Sequence, residues 1–129
     1  KEGKQYPITV VMVKIRNLPE LFKVLPGFSR KKVATEIVKR FKEQLKGNDL
    51  VARWDTDTFS VFLPHTPEKV AGIVEQRLTE IFSNPFTYGV EDTEQVNLEA
   101  LLAAATCNSE DGFESFVKDA EAGIKAREL

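Results

Sequence analysis

Residues 49–64 read Asp-Leu-Val-Ala-Arg-Trp-Asp-Thr-Asp-Thr-Phe-Ser-Val-Phe-Leu-Pro. Two short apolar runs, 50–54 and 59–63, are rich in β-branched and aromatic residues, which is typical of strands. The four polar residues between them include two carboxylates. The pattern predicts a β-hairpin with Asp55 and Asp57 at its tip. Because a turn held by two paired strands is exposed and well positioned, we expect any chemistry of this chain at that tip.

The segment before the hairpin predicts one strand and two helices. Residues 8–15 form a near-continuous β-branched run, as in a central strand that is buried on both faces. A short helix is predicted over 18–25, because Pro19 suits a first helical turn. Ser29 suits the N-cap of a longer helix that ends at 47–48. The apolar residues of this longer helix recur every fourth position: Val33, Ile37, Phe41 and Leu45.

The segment after the hairpin predicts a helix, a second hairpin and a last helix. A helix opens at 66–68 and closes before Pro85, and it carries the apolar stripe Val70, Ile73, Val74, Leu78, Ile81 and Phe82. Residues 98–105 contain helix-forming residues, yet they follow 85–90 and an acidic turn, as the second arm of a hairpin would. The last amphipathic helix is predicted from Phe113, Phe116, Val117, Ala120 and Ile124.

Length and composition indicate one soluble globular domain. The 129 residues are enough for a self-sufficient core, and 42% are hydrophobic and 29% charged. A net charge of -2 argues against nonspecific nucleic-acid binding. The single cysteine, Cys107, excludes an internal disulfide and fits a reducing compartment. Because no apolar run approaches the roughly 20 residues of a membrane span and no signal peptide is visible, we expect a cytoplasmic domain without membrane contact.

The hairpin sequence resembles the signature hairpin of the GGDEF family, the bacterial diguanylate cyclases. In that family a phrase like DLVAR-x-GGDEF-x-V-x-LP bears the active-site turn. Here the five signature positions are Asp55, Thr56, Asp57, Thr58 and Phe59, of which only the third and fifth match. The chain is therefore similar to a GGDEF domain whose active site has been rewritten. The resemblance runs without a gap from residue 10 to about 81 and more loosely beyond, and the family's final strand is absent or lies beyond Leu129.

The resemblance implies an α+β fold with a ferredoxin-like, palm-type, mostly antiparallel central sheet flanked by helices. The order of the predicted elements agrees with such a fold. The family's spacing around its penultimate strand favours a strand for 98–105. We expect residues 1–129 to form a single degenerate GGDEF domain. Because the chain begins at Lys1 without methionine, we also expect that it is excised from a larger multidomain protein.

The resemblance also implies where a cyclase would hold its metal ions. A palm cyclase binds divalent metals through carboxylates on the first strand and the hairpin, and these metals offset the charge of the triphosphate. The two strand positions fall on Lys14 and Arg16, and lysine cannot ligate magnesium at neutral pH. Asp57 keeps an acidic position, but Thr58 replaces the glutamate after it. We therefore expect no metal, no cofactor and no catalytic residue, and we expect Lys14 to pair with Asp57.

The positions that would contact the nucleotide have changed as well. The signature glycines, which let the backbone approach the phosphates, are Asp55 and Thr56 here. Two like charges about 4 Å apart repel by ~1 kcal/mol in water and ~4 kcal/mol near a protein surface, so Asp55 disfavours a triphosphate. Phe22 and Lys31 occupy the positions that would read the guanine edge.

A second nucleotide site stays open as an alternative. Many GGDEF domains have an RxxD inhibitory site for cyclic di-GMP, and the corresponding positions here run from Lys46 to Asp49. Lysine keeps the charge of arginine but loses its planar fork. Lys46, Asp49 and Lys31 are thus candidate ligands. The basic residues at 30–32 and 39–40 are interpreted as a solvated helix face, because acids at 36 and 43 interrupt them.

Three functions are compatible with these residues. The first is a catalytically inactive GGDEF-like regulatory or protein-interaction domain of a bacterial signalling protein, with a protein partner or flanking domains of the parent chain. The second is an effector domain that binds cyclic di-GMP or a nucleotide through the substituted RxxD-type site. The third is a residual diguanylate cyclase that uses Asp57.

Overall fold

The computed structural model describes residues 7–47, 49–89, 91, 93–107, 118 and 122. In chain order the elements are β1 (Ile8–Ile15), α1 (Leu18–Val24), α2 (Gly27–Glu43), β2 (Leu50–Asp55), β3 (Thr58–Pro64), α3 (Glu68–Ile81), β4 (Phe86–Tyr88), β5 (Glu94–Val96) and β6 (Ala100–Cys107). The helix predicted from residues 113–124 lies outside the described residues, except that Lys118 and Ala122 are helical. The elements form an α+β domain, as predicted.

Four strands form one antiparallel sheet in the order β2-β3-β1-β6. The strand β1 lies inside this sheet, where Val11 faces Val61 of β3 on one side and Ala104 of β6 on the other. The prediction of a central strand is therefore confirmed. The strand prediction for 98–105 is also confirmed in type, because β6 overlaps it.

The predicted hairpin between 85–90 and 98–105 is wrong. The second arm of the hairpin that starts at β4 is the short strand β5, and these two strands form a separate two-stranded sheet. The chain continues past the buried Leu98 and places β6 beside β1. The physical reason is that the apolar β1 needs a neighbour on both of its edges to pair its backbone groups, and β3 supplies only one.

The main core lies between the sheet and the helices α2 and α3. The helix α2 contributes Val33, Ile37 and Phe41, and all three are fully buried. The ring of Phe41 meets the ring of Phe59 on β3 in an edge-to-face contact, with centroids 5.8 Å apart. On the opposite face of the sheet a smaller buried cluster consists of Val10, Met12 and Ala103. In the described part of the chain, no helix is long and apolar enough to cross a membrane.

The boundaries of α2 differ from the predicted ones. The helix begins at Gly27 with Pro26 as its N-cap, so Ser29 lies buried inside the first turn and the predicted N-cap is wrong. Pro26 has extended backbone angles, and its carbonyl oxygen accepts a hydrogen bond from the amide of Arg30, so the helix starts earlier than Ser29 could start it. The helix ends at Glu43, before the predicted stop, and the amides of Gln44 and Leu45 donate to the carbonyl oxygens of Phe41 and Lys42, three residues back, instead of continuing the α-helical pattern.

Candidate functional site

The predicted hairpin of β2 and β3 is confirmed, but its turn is shorter than the sequence indicates. The strand β2 extends to Asp55 and β3 begins at Thr58, so only Thr56 and Asp57 form the turn. The pairing register shifts between Arg53 and Asp55, as in a β-bulge. Asp55 can therefore still pair with Thr58, which removes both residues from the turn.

The hairpin tip brings Asp57 against the end of β1. The amide of Ile15 donates to the carbonyl oxygen of Asp57 at 2.8 Å, and Lys14 faces Thr58 in the register of β1 and β3. This arrangement places the Lys14 Nζ atom 4.0 Å from the Asp57 Oδ2 atom. The ion pair predicted between these two side chains is confirmed.

Both carboxylate oxygens of Asp57 already have neighbours. The Oδ1 atom accepts a hydrogen bond from the hydroxyl of Thr58 at 3.0 Å, and the Oδ2 atom faces Lys14. A magnesium ion prefers several oxygen ligands at about 2.0–2.1 Å, and an ammonium group in its place offers none. Among the residues with described positions, no group of three or more His, Cys, Asp and Glu side chains could hold a metal ion.

Asp55 and Thr56 occupy the positions of the signature glycines and are both exposed. The Oδ1 atom of Asp55 accepts a hydrogen bond from the amide of Thr56 at 2.7 Å. In an anion site the backbone amides of a turn point toward the ligand. Here the amide of Thr56 is bound to a carboxylate, which also adds a negative charge. This turn is therefore poorly suited to bind phosphate.

Arg53 supports the hairpin tip, and the sequence interpretation missed it. Its Nη2 atom donates to the carbonyl oxygen of Thr56 at 2.7 Å, and its guanidinium carbon lies 5.4 Å from the ring centroid of Phe59 and 5.8 Å from that of Phe22. These distances are within the range of cation–π attraction. Phe22, predicted at a base-reading position, thus contacts a cation of the hairpin. An arginine two residues before the polar turn is the signal that could have indicated this contact.

The structure does not bring all the predicted site residues together. Arg16 is exposed, and its amide donates to the carbonyl oxygen of Glu99 at 2.7 Å. Lys31 is exposed on α2. No contact between either residue and Asp57 occurs in the described ranges.

The structure does bring Lys46 and Asp49 together, in the turn between α2 and β2. The amide of Asp49 donates to the carbonyl oxygen of Lys46 at 3.0 Å, and the amide of Lys46 donates to the Oδ2 atom of Asp49 at 2.9 Å. Lys46 is exposed, whereas Asp49 is half-buried. The carboxylate of Asp49 therefore stabilises the turn, and the ammonium group of Lys46 extends into solvent.

This turn forms one wall of a cleft of about 540 Å3, which we call the α3 cleft. The residues that line it include Lys46, Asp49, Leu63, Val70, Ile73 and Arg77. Val70 is 38% exposed and Ile73 is 55% exposed, so these two residues of the predicted apolar stripe do not pack into the core.

The reason is that α3 has two apolar rows. Ala71, Leu78 and Ile81 are buried in the core, whereas the row of Val70 and Ile73 leads to Arg77 and faces the cleft. The predicted stripe spans more of the helix than one packed face covers. Arg77, which the sequence interpretation missed, follows Ile73 at the helical spacing of four residues, and that spacing is the signal that could have found it.

Comparison with known families identifies the class of this domain. The chain matches the family model described as diguanylate cyclase, GGDEF domain, over residues 1–127. The chain therefore belongs to the GGDEF family. A comparison with curated protein sequences gave no match.

Solved structures have the same fold. The GGDEF domain of YfiN, also called TpbB, from Pseudomonas aeruginosa is 20% identical with a TM-score of 0.81, and the match covers 96% of this chain and 73% of that one. The GGDEF domain of DgcB from Caulobacter crescentus, solved in complex with c-di-GMP, is 14% identical with a TM-score of 0.82, covering 98% and 74%. The diguanylate cyclase SiaD from Pseudomonas aeruginosa, solved with its activator SiaC, is 21% identical with a TM-score of 0.81, covering 98% and 47%. At these identities the likeness concerns the fold alone.

Proposed function

We propose that this domain is a catalytically inactive GGDEF domain that acts as a regulatory or protein-interaction module in cytoplasmic cyclic di-GMP signalling of a bacterium. The observation that carries this proposal is the 4.0 Å contact between the Lys14 Nζ atom and the Asp57 Oδ2 atom. An ammonium group stands where the family resemblance places a metal-binding carboxylate. The remaining acidic position of the signature is thereby neutralised without a metal ion.

The environment of the hairpin tip supports the same proposal. A triphosphate carries several negative charges, which need metal ions, cations or free amides for compensation. At this tip the Thr56 amide is bound to Asp55 and the Asp57 carboxylate is bound to Thr58. Asp55 adds repulsion of ~1 kcal/mol or more for a phosphate charge about 4 Å away. Binding of magnesium GTP in a productive position is therefore disfavoured.

A protein partner is part of the proposal because the fold is retained while the nucleotide positions differ from the signature. The relative SiaD was solved with its activator SiaC, so a related domain occurs in a protein with a protein activator. By analogy we expect this domain to transmit a signal through contacts with a partner or with flanking domains of its parent chain.

The test is turnover of GTP by the purified chain with magnesium, followed by chromatography of the products. A GGDEF domain with an intact signature is the positive control. We expect no cyclic di-GMP from this chain. Formation of cyclic di-GMP above the no-enzyme background would overturn the proposal and would favour the residual cyclase that uses Asp57.

A matched variant tests the role of the ammonium group. Lys14→Asp places a second carboxylate beside Asp57, so we expect it to bind magnesium more tightly than the unmodified chain in calorimetric titration. Lys31→Asp makes the same charge change on the exposed surface of α2 and serves as the control. Equal magnesium binding by all three proteins would show that the ammonium group of Lys14 does not take the place of a metal ion beside Asp57.

The second candidate function is binding of cyclic di-GMP in the α3 cleft. The observation that favours it is the pair of exposed cations, Lys46 and Arg77, on a cleft of about 540 Å3. The relative DgcB was solved in complex with c-di-GMP, so a domain of this fold can hold that ligand. Lysine, however, offers a phosphate only a point charge and does not stack on guanine as arginine does.

Calorimetric titration with cyclic di-GMP tests this candidate. Saturable binding that is lost in Lys46→Ala and retained in Lys39→Ala would support it, because Lys39 is an exposed lysine of α2 that does not line the cleft. Absence of heat at all accessible concentrations would exclude it.

A further inference from the structure

We propose that the α3 cleft is a docking site for a protein segment that presents an apolar side chain next to carboxylates. The inference rests on the proposed function, because it supplies the surface and the partner chemistry of the interaction module. The cleft is concave, its wall on α3 is apolar, and exposed cations lie at Lys46 and Arg77.

The apolar wall is more than a pair of scattered surface residues. Val70 and Ile73 are one helical turn apart, so their side chains are neighbours on α3. Both are exposed, and they line the same cleft as the buried Leu63. Single exposed apolar residues are common on protein surfaces, but a contiguous apolar wall in a concave site is typical of binding sites. An inserted apolar side chain would remove this wall from water.

The charged side chains of the cleft favour a partner segment with negative charge. Within the described part of the chain, the Lys46 and Arg77 side chains form no hydrogen bond or ion pair. Of the described residues that line the cleft, Asp49 is the one with a carboxylate, and this half-buried group accepts a hydrogen bond from the amide of Lys46. Glu43 and Glu80 border Arg77 in the neighbouring cleft but do not line this one. The cleft is therefore complementary to carboxylates.

A peptide segment satisfies these features better than a cyclic dinucleotide. Nucleotide recognition needs hydrogen-bonding groups for the base edges and, at each phosphate, a planar bidentate donor where possible. The α3 wall instead offers the aliphatic side chains of Val70, Ile73 and Val74. Arg77 supplies one planar fork, but a second phosphate would meet only the point charge of Lys46. An aliphatic or aromatic side chain with acidic neighbours would use both the wall and the cations.

The experiment is selection of a phage library of random short peptides on the immobilised chain. The expected result is enrichment of peptides that combine apolar residues with Asp or Glu. A synthetic, fluorescein-labelled copy of an enriched peptide is then titrated with the chain by fluorescence anisotropy. We expect its affinity to fall as the salt concentration rises, because salt screens the charges of the rim.

Variants of exposed residues locate the binding site. We expect Ile73→Ser to weaken peptide binding about tenfold, as truncation of an apolar anchor does. We expect about tenfold weakening in Arg77→Glu as well, because it replaces attraction with repulsion. The matched controls are Val24→Ser and Lys39→Glu, since Val24 and Lys39 are exposed residues outside the cleft and should leave the affinity unchanged. Circular dichroism establishes that each variant is folded.

The outcomes separate this inference from the function on which it rests. Three results would overturn the docking site: no peptide is enriched, the enriched peptides are basic, or the cleft variants bind a peptide as well as their controls do. None of these results would bear on the absence of GTP turnover. Turnover of GTP by the same preparation would overturn the inactive function and leave the peptide result standing. The cleft would be assigned to the nucleotide instead if cyclic di-GMP displaced a bound peptide and bound more tightly than every selected peptide.

Discussion

The guanidinium carbon of Arg40 lies 3.8 Å from the ring centroid of Phe86, and this contact fixes α2 to the chain that leaves α3. The same guanidinium donates to the backbone carbonyl oxygens of Ile81 at 3.2 Å, Asn84 at 3.0 Å and Pro85 at 2.7 Å. Its Nε atom donates to Glu36 at 3.0 Å. The interpretation of Arg40 as part of a solvated helix face is therefore wrong. A cation at the C-terminal end of α3 also stabilises the exposed carbonyl groups of that helix.

Replacing Arg40 with alanine is expected to lower the free energy of unfolding by about 2 kcal/mol, because hydrogen bonds from a charged donor and a ring contact are lost together. Arg40→Lys should recover less than half of this loss, since lysine cannot contact several carbonyl groups in one plane. Urea unfolding measures both values. Lys39→Ala, on the adjacent exposed lysine, is the control and should change the free energy by less than about 0.5 kcal/mol. Equal effects at the two positions would contradict the structural role of Arg40.

Ser60 and Thr9 form a matched pair of buried hydroxyl groups. The Oγ atom of Ser60 has no hydrogen-bond partner among the described residues, whereas the Oγ1 atom of Thr9 contacts the carbonyl oxygen of Thr66 and the hydroxyl of Thr106, both at 2.7 Å. We expect Ser60→Ala to stabilise the domain by up to about 1 kcal/mol, because the desolvation cost of the hydroxyl disappears. Thr9→Val should destabilise it by about 1–2 kcal/mol. Thermal unfolding of both variants provides the measurement, and destabilisation of the same size in both would show that Ser60 has a bonding partner.

Arg53→Ala should loosen the hairpin tip without unfolding the domain. The variant loses the 2.7 Å hydrogen bond to the Thr56 carbonyl and the contacts with two aromatic rings. We expect faster hydrogen exchange at the amides of residues 56–58 and unchanged exchange in β1, because the opening is local. Nuclear magnetic resonance measures each amide. Lys23→Ala, an exposed cation on α1, is the control, and an exchange profile of Arg53→Ala identical to that control would contradict the supporting role.

The pair of Lys14 and Asp57 should contribute little to stability. Its N–O distance is 4.0 Å and both side chains are partly exposed. A double-mutant cycle with Lys14→Met and Asp57→Asn is expected to give a coupling free energy of about 0.2–1 kcal/mol that decreases with added salt. Urea unfolding of the four proteins gives this value. A coupling of several kcal/mol that does not depend on salt would indicate that the pair is structural and would weaken its interpretation as a substitute for a metal ion.

Much of the fold could be predicted because the strand patterns are strong. The β-branched run of β1 and the alternating residues of β3 indicate buried strands, and both lie where the sequence places them. The strand β6, by contrast, consists largely of leucine and alanine, which prefer helices. Its assignment depended on the family resemblance, and its pairing with β1 is a tertiary property that no local pattern contains.

The candidate site was less predictable, because its contacts depend on side-chain geometry. The spacing of Lys14 and Asp57 relative to the family motif was enough to predict their pairing. The role of Arg53 and the position of Arg77 in the cleft depend on which face of the strand or helix is covered by the rest of the fold. The apolar pattern of α3 alone would allow either of its two apolar rows to be the buried one. The sequence also places Asp55 in a turn, whereas a shift in strand register returns it to β2.

The position of β1 in the sheet determines when the domain can be completed during translation. One neighbour of β1 is β6, whose last residue is Cys107, and the hydroxyl of Thr9 meets that of Thr106. A ribosome must therefore release the chain through β6 before β1 obtains its second neighbour. Contacts between such distant residues slow folding, and an incomplete sheet can associate with the wrong strand. A nascent chain arrested before β6 would thus expose one edge of its most apolar strand and depend on chaperones to remain unaggregated.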